Sequence, residues 1–244
     1  MISVNGVTKI YTIGDRRVAA LDDVSIDIAD NDFLTIVGRS GSGKTTLLRV
    51  LASLESPTSG VVSFNGRPCS AESPLPVGMV FQEPRLMPWL SVCENILFAY
   101  PPREQTKELR ERAFKMASTV GLAGYEDALP NQLSGGMAQR AALGRALLKD
   151  PPVVLLDEPL GALDYFTRLS MQHELLNLYT AGKRCFIMVT HDVGEAVRLG
   201  TRVAVLGSGR LMLEMPISLP YPRPQDSSEL RKIENKVLRA IDAS

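Results

Sequence analysis

The stretch that decides the fold is Gly38-Arg39-Ser40-Gly41-Ser42-Gly43-Lys44-Thr45-Thr46. One apolar run at 33–37 precedes it and another at 47–51 follows it, so the order is strand, glycine loop, helix. Glycines let backbone N–H groups turn towards one anion, and a helix start adds partial positive charge. Lys44 can reach the outer phosphates of a nucleotide, and the Thr45 hydroxyl can bind Mg²⁺. The stretch therefore predicts a phosphate-binding loop rather than an ordinary glycine-rich turn.

Composition limits the class of protein. The chain has 244 residues, of which 45% are apolar, so it can form one large domain with a sizeable core. Its 27 Lys and Arg residues equal its 27 Asp and Glu residues, so no basic excess favours a nucleic-acid partner. We see no signal peptide at the start and no apolar run of about 18 residues, so we expect a cytosolic protein without a membrane span. The three cysteines are widely spaced, which argues against a disulfide framework or a metal site.

The N-terminal third predicts antiparallel strands. Residues 2–28 alternate apolar and polar positions, and residues 61–64 form a further short strand before an Asn-Gly turn. The polar, proline-bearing segment 67–76 is interpreted as a surface loop, and 77–81 as the next strand. A helical region follows, in which Ser91 and Thr106 can cap helices.

The second half alternates strands and helices. Short apolar strands are predicted at 153–156, 186–189 and 203–206, with helices at 164–180 and 192–199. This order predicts an α/β fold with a mostly parallel sheet, interrupted by an all-helical insertion near residues 83–150. After a proline-rich stretch, a last helix carries apolar residues at helical spacing, with Asp226 and Glu229 as a candidate capping box. A packing role for this helix is favoured over a regulatory one.

Two acids follow the apolar strand at 153–156. Asp157 and Glu158 lie where a buried strand would deliver carboxylates to its C-terminal edge, and ligands bind at that edge in open α/β sheets. Asp157 is placed to hold Mg²⁺, and Glu158 to polarise an attacking water. Solvated acids at a strand end are the alternative, which the phosphate-binding loop makes less favourable.

A second candidate anion site lies at 133–140, with the sequence Leu-Ser-Gly-Gly-Met-Ala-Gln-Arg. Ser134 can cap the helix that follows, and Gly135 and Gly136 expose its N–H groups; a simple capped helix start is the alternative. This segment, shortly before an Asp-Glu strand, resembles the signature of ABC-transporter ATPase subunits. Met137 departs from the glutamine that many members carry at this position, without removing the serine hydroxyl or the glycine amides.

The resemblance extends to further motifs in the family's order. Tyr11 resembles the aromatic residue that stacks on adenine, although an edge-strand tyrosine remains an alternative. Gln82 resembles the Q-loop glutamine, Asp164 ends a Gly-Ala-Leu-Asp D-loop, and His191 resembles the switch histidine that contacts the γ-phosphate. The implied catalytic residues are Lys44, Gln82, Glu158 and His191. The implied metal ligands are Thr45, Gln82 and Asp157, and the implied nucleotide contacts are Tyr11, Gly38 to Thr46, Ser134, Gly135, Gly136 and Asp164.

The resemblance also implies an architecture and partners. The expected fold is a RecA-like P-loop NTPase core with an N-terminal antiparallel β subdomain over 1–82 and 151–215, a helical subdomain over 83–150 and a tail helix over 216–244. Two cassettes are expected to pair head to tail around ATP and Mg²⁺, as a homodimer or with another cassette. A separate membrane permease, and indirectly a solute-binding protein, complete the expected system at the cytoplasmic face of the inner membrane.

The segments 86–96 and 219–224 are similar to those of importers of nitrate, sulfonate or taurine. The loop at 83–90 is unusually apolar, so it either faces the permease or buries Trp89 under the helical lobe. A soluble ABC-type ATPase remains an alternative, although such proteins usually carry two cassettes or a long coiled coil. A P-loop kinase or GTPase would leave the 133–140 segment unexplained.

Overall fold

The computed structural model describes residues 1–182, 184–224 and 227–243. The chain forms two compact units, one of residues 1–75 and 183–244 and the other of residues 76–182. The second unit includes strands and a long helix in addition to the helical segment expected at 83–150. The finer division that the sequence suggests stays a prediction.

The α-helices and strands, in chain order, are β1 (Ile2–Ile13), β2 (Arg16–Ile28), β3 (Phe33–Val37), α1 (Lys44–Leu51), β4 (Ser59–Phe64), β5 (Arg67–Pro68), β6 (Val77–Val80), α2 (Val92–Leu97), α3 (Lys107–Thr119), α4 (Gly135–Leu147), β7 (Val153–Asp157), α5 (Tyr165–Ala181), β8 (Cys185–Val189), α6 (Val193–Leu199), β9 (Arg202–Gly207), β10 (Arg210–Pro216) and α7 (Ser228–Asp242). The helices and strands expected in the second half of the chain are confirmed to within two residues at each end.

The first unit contains an antiparallel sheet with the order β2-β1-β4-β5. Ile2 and Val4 are buried in it while Asn5 is exposed, which is the alternation that the sequence predicted. The prediction of a loop throughout 67–76 is wrong at its start. Arg67 pairs with Phe64 across a tight turn, so two residues extend the sheet before the loop begins.

Parallel strands form the centre of the same unit. β3 pairs in parallel with β8 on one side and with β9 on the other, and β10 adds an antiparallel edge beside β9. All five residues of β3 and of β8 are buried, as continuous apolar runs in parallel sheets require. β10 was not predicted because its residues alternate between half-buried and exposed and follow a turn at Ser208 and Gly209.

The second unit pairs β6 and β7 in parallel and contains α2 to α5. The predicted caps are confirmed. Thr106 accepts a hydrogen bond from the Leu109 amide at 3.2 Å, and Ser91 forms a full capping box with Glu94. Both caps fix where a helix starts and therefore where the preceding loop ends.

The tail helix α7 packs on the first unit. Leu230 and Val237 lie in a buried cluster with residues of α6 and β9, so the expected packing role is confirmed. Ser227 caps α7 by accepting a hydrogen bond from the Leu230 amide at 3.4 Å. Asp226, the cap suggested by the sequence, lies outside the described residues.

The three cysteines are free thiols, as expected. Burial raises the pKa of Cys93 to about 11 and that of Cys185 to about 12. Both thiols are therefore protonated at neutral pH. Among the described residues, no helix is both long enough and apolar enough to cross a bilayer.

Candidate nucleotide-binding and catalytic site

The phosphate-binding loop connects β3 to α1 in the first unit. Gly43 precedes the helix with φ at 101°, and a Cβ there would lie 2.2 Å from the carbonyl oxygen of Ala20. A Cβ on Gly38 would lie 2.1 Å from the carbonyl oxygen of Leu206. Only glycine fits at these two positions, so the backbone itself forms the wall of the loop.

Two polar side chains of the loop are buried. Lys44 is 5% exposed, and its ammonium group donates to the carbonyl oxygens of Gly38 and Arg39, each at 2.9 Å. Ser42 is 4% exposed, and its buried Oγ has no hydrogen-bond partner among the described residues. A buried hydroxyl without a partner is costly, and an anion oxygen in the loop would satisfy it. The loop therefore fits the phosphate groups of a nucleotide.

Tyr11 lies in β1, next to the start of α1. Its hydroxyl donates to the Glu55 carboxylate, and the Lys9 ammonium lies 5.2 Å from the centre of its ring. Burial first and the Glu55 carboxylate second raise the pKa of Tyr11, while a hydrogen bond with Thr46 lowers it. The contact with Thr46 places the ring beside the phosphate-binding loop. Its stacking on adenine stays a prediction.

His191 reaches the same edge of the first unit as the phosphate-binding loop. In the parallel pair of β3 and β8, Ile36 lies opposite Val189. The loop begins two residues after Ile36, and His191 lies two residues after Val189. The Thr190 amide also donates to the Ile36 carbonyl at 3.1 Å, which extends the pairing to the residue before His191. Parallel strands end at a common edge, so this register brings the two motifs together.

A hydrogen-bond network fixes the turn that carries His191. The Thr190 hydroxyl donates to the Glu195 carboxylate at 2.9 Å, and the Asp192 amide donates to the Thr190 hydroxyl at 3.1 Å. Asp192 caps α6 by accepting from the Glu195 amide at 3.0 Å. Thr190 and Glu195 are buried while His191 is exposed, so the imidazole projects from a rigid base.

The second unit brings Gln82, Asp157 and Glu158 to one edge. Val80 of β6 lies opposite Leu156 of β7, and the three side chains follow within two residues of that pair. Asp157 is 8% exposed, whereas Gln82 lies on the surface. Glu158 has a positive φ of 44°, a conformation that costs energy in residues with a side chain and occurs often at active sites.

The 133–140 segment presents a capped helix start in the second unit. The Ser134 hydroxyl accepts from the Met137 amide at 3.3 Å, which confirms the predicted cap. Ser134 and Gly135 are exposed, whereas Gly136 is buried. A Cβ on Gly136 would lie 2.2 Å from the Thr167 methyl group, but a Cβ on Gly135 would meet nothing within 4 Å. The two glycines therefore have different roles, one in packing and one on the open surface.

Asp164 caps α5. Its carboxylate accepts from the amides of Phe166 at 3.1 Å and Thr167 at 3.2 Å. A hydrogen bond with the Thr167 side chain is the main cause that lowers the pKa of Asp164. The carboxylate is thus held in its charged form by its own helix, and its predicted contact with nucleotide stays a prediction.

Each unit thus assembles part of the predicted set. The first unit holds Tyr11, the loop at 38–46 and His191, while the second holds Gln82, Ser134 to Gly136, Asp157, Glu158 and Asp164. Within the described ranges, no cluster of three or more His, Cys, Asp and Glu residues forms a metal site. The metal ligands that the sequence suggested, Thr45, Gln82 and Asp157, stay a prediction.

Several supporting residues escaped the sequence interpretation. Glu195 holds the turn at His191, Asn95 is fully buried and holds the loop before α2, and Arg145 binds the loop after Gln82. One signal could have found two of them. A polar residue within an otherwise apolar helical segment, as at Asn95 and Arg145, indicates a buried hydrogen-bonding role.

Trp89 is 71% exposed in the loop before α2. The alternative in which Trp89 packs beneath the helical lobe is therefore wrong. Pro88 beside Trp89 is also exposed, whereas Leu86, Met87 and Leu90 are half-buried.

The protein-family model described as ABC transporter matches residues 21–161 of this chain. An uncharacterized ABC transporter ATP-binding protein of Methanocaldococcus jannaschii is 42% identical over 98% of this chain and 91% of its own length. The aliphatic sulfonates import ATP-binding protein SsuB of Bacillus subtilis is 40% identical over 99% of this chain and 94% of its own. The SsuB protein of Rhodopseudomonas palustris is 43% identical over 98% and 83%.

A solved structure of an ATP-binding cassette is also similar to this chain. The dimeric post-hydrolysis state of the ATP-binding cassette MJ0796, bound to ADP and Pi, matches this chain with a TM-score of 0.80 at 33% identity. The match covers 90% of this chain and all of the other. The predicted fold, a P-loop NTPase with parallel and antiparallel strands, is confirmed.

Proposed function

The chain belongs to the ABC transporter family and is an ATP-hydrolysing cassette, and we propose that it drives the uptake of a small solute through a separate permease. The observation that carries the ATP-binding part of this function is the register of β3 and β8. It brings the phosphate-binding loop and His191 to one edge of the first unit, where one polyphosphate can contact both.

In this proposal the first unit binds ATP and stabilises the charge that develops on its terminal phosphate. The loop amides, the Ser42 hydroxyl and the Lys44 ammonium hold the phosphate chain, and His191 donates a hydrogen bond to the γ-phosphate. Phosphoryl transfer spreads negative charge over the equatorial oxygens, so fixed donors supply most of the catalysis. The buried network at Thr190 and Glu195 supports this role because it fixes the histidine before the substrate arrives.

The second unit supplies the carboxylates. Glu158 positions and polarises the attacking water, and its high-energy backbone conformation supports that assignment. Thr45, Gln82 and Asp157 are proposed to hold Mg²⁺. When bound, Mg²⁺ would neutralise charge on the β- and γ-phosphates.

We further propose that two copies pair head to tail, so that Ser134, Gly135 and Gly136 of one copy close over the ATP of the other. Ser134 and Gly135 support the proposal because they are exposed at a helix start, where N–H groups and a partial positive charge attract phosphate. Asp164 would contribute near the same nucleotide.

A subunit-mixing experiment tests this arrangement. Lys44→Ala disables the loop of its own copy, and Ser134→Arg blocks the closure that a copy offers to its partner. Each variant alone should lose ATPase activity. An equal mixture should recover roughly a quarter of wild-type activity, because random pairing in a symmetric dimer makes half of the dimers mixed and each has one intact site. No recovery in a mixture that forms dimers would contradict the head-to-tail site.

The solute and the membrane partner are proposed from two observations. The sulfonate-import names of the relatives favour an aliphatic sulfonate as the solute, with taurine or nitrate as the other outcomes. The exposed Trp89 favours docking of the permease on the loop at 83–90, because tryptophan is enriched at protein–protein interfaces. The cassette would then act at the cytoplasmic face of the membrane, and a solute-binding protein would deliver the solute.

Deletion of the gene in its source organism tests the solute. We expect loss of growth on an alkanesulfonate as the sole sulfur source, with growth on sulfate unchanged. Rescue by the wild-type gene but not by the Lys44→Ala variant would tie the phenotype to ATP hydrolysis. Unimpaired growth on taurine, nitrate and alkanesulfonates alike would favour the alternative, a soluble ATPase not coupled to transport.

A further inference from the structure

Side chains of two helices hold the segment that contains Gln82. We call residues 81–91 the clamped segment, because its backbone carbonyl groups accept hydrogen bonds from α2 and α4 at both ends and in the middle. It contains only a short turn and no regular element. Side chains rather than a backbone ladder therefore determine its conformation.

Arg145 of α4 holds the middle of the clamped segment. Its two terminal nitrogens donate to consecutive carbonyl oxygens, that of Pro84 at 2.7 Å and that of Arg85 at 2.9 Å. The planar guanidinium presents two N–H donors from two nitrogens to the two oxygens, a fixed geometry that the single nitrogen of a lysine does not reproduce. Burial lowers the pKa of Arg145, so the charge has been partly removed from water to make this contact.

Gln139, one and a half turns earlier on α4, holds the start of the clamped segment. It is 2% exposed and donates to the Phe81 carbonyl oxygen at 3.1 Å. The Arg85 guanidinium lies 4.5 Å from the centre of the Phe81 ring, which closes the segment on itself. Arg85 has a positive φ of 47°, a conformation that needs support from its surroundings.

Asn95 of α2 holds the end of the clamped segment. Its side chain is fully buried and donates to the carbonyl oxygens of Met87 at 3.1 Å and Leu90 at 2.8 Å. It also accepts from the Met87 amide at 2.7 Å. Asn95 contacts the far end of the segment, so the side-chain hydrogen bonds seen around Gln82 among the described residues come from α4.

We propose that Arg145 is a positioning residue for Gln82. The hydrogen bonds at Phe81 and Pro84 bracket Gln82, so the Arg145 contact sets where the exposed glutamine amide lies. Because Ser134 caps the start of α4, the same helix links the position of Gln82 to that of Ser134. The proposal rests on the proposed function, in which Gln82 acts on Mg²⁺ and the attacking water.

Hydrogen exchange measures the structural half of this proposal without nucleotide. Arg145→Met removes both donors and keeps much of the side-chain volume. We expect the amides of Gln82, Glu83, Arg85 and Leu86 to exchange at least several-fold faster in this variant, while those of α3 are unchanged. Arg112→Met is the matched control, since Arg112 donates to a carbonyl of the same unit, that of Leu148 at 3.0 Å, outside the clamped segment.

A double-mutant cycle measures the functional half. In the wild-type background, Arg145→Met should lower kcat by about 10- to 100-fold, the range expected when a catalytic group is displaced by about 1 Å, with KM for ATP nearly unchanged. In a Gln82→Ala background, Arg145→Met should lower kcat hardly any further, because the side chain that Arg145 positions is already absent. Arg145→Lys should give an intermediate kcat, since the ammonium keeps the charge and can still donate to the carbonyl oxygens but lacks the planar fork.

Three outcomes would overturn the proposal. They are unchanged exchange at 82–86, losses that simply multiply in the double variant, and a loss in Arg112→Met as large as that in Arg145→Met. If Arg145→Met does not fold, Arg145→Lys is used for both measurements with the same criteria. If Gln82→Ala alone keeps full activity, the proposed role of Gln82 fails, and the exchange measurement decides separately whether Arg145 orders the segment.

Discussion

The neighbouring glycines Gly135 and Gly136 should respond in opposite ways to the same substitution. Both lie in the first turn of α4, and alanine gains up to about 1 kcal/mol over glycine in a helix. A Cβ on Gly135 meets nothing within 4 Å, but one on Gly136 would lie 2.2 Å from the Thr167 methyl group. Gly135→Ala should therefore be neutral or stabilising, and Gly136→Ala destabilising.

The size of the difference follows from the clash. Thr167 cannot rotate its methyl group away freely, because its side chain is hydrogen-bonded to the Asp164 carboxylate. Overpacking of this kind costs about 1–3 kcal/mol. The two variants share the helix-propensity gain, so their difference is the clash alone. For a chain of this size about 2–4 °C of Tm corresponds to 1 kcal/mol, so Gly136→Ala should melt about 2–12 °C below Gly135→Ala.

Thermal unfolding followed by circular dichroism measures this difference. Thr167→Ser provides a rescue, because it removes the methyl group and keeps the hydroxyl that binds Asp164. The double variant Gly136→Ala with Thr167→Ser should recover most of the lost Tm relative to Thr167→Ser alone. Equal Tm values for the two alanine variants, or no recovery with serine, would refute the packing argument.

Two further predictions concern chemistry. Glu158→Gln should leave nucleotide binding intact, because no phosphate contact is lost. It should lower kcat by about 10²–10⁴-fold, which is the usual contribution of a general base. Single-turnover hydrolysis at the wild-type rate would contradict the assignment. Cys93, with its pKa raised from 9.0 to about 11 by burial, should react with iodoacetamide at pH 8 about 100-fold more slowly than an unperturbed thiol, since the thiolate is the nucleophile. Mass spectrometry of the labelled peptide, with urea-unfolded protein as the control, measures this rate, and equal labelling in both states would contradict the burial.

The fold could be predicted wherever periodicity and burial agree. β3, β7 and β8 are short, mostly apolar runs, which is the composition typical of parallel strands buried on both faces. β10 escaped because its half-exposed residues alternate without a strong apolar face. The two-residue strand at Arg67 and Pro68 escaped because a polar, proline-bearing stretch is more often a loop than a strand.

Some residues of the candidate site could likewise be predicted from the sequence, and others could not. Lys44, Asp157 and His191 could be found because their motifs have fixed spacing and a chemical reason for each residue. The sequence could have marked Arg145 and Asn95 as buried polar residues, but it could not identify the partners of these two residues or of Glu195, which are backbone carbonyl groups or a buried hydroxyl 5 to 61 positions away. Such contacts leave no regular spacing in the sequence.

The sequence by itself determined which chemistry this protein can perform. The glycine loop, the acids after a buried strand and the capped helix start are local patterns, and each depends only on residues adjacent in the chain. The tertiary structure alone decided which motifs share an edge, through the pairing of Ile36 with Val189 and of Val80 with Leu156. It also decided which side chains hold the loops in place, because strand register and side-chain contacts join residues distant in sequence, and only the folded chain brings them together.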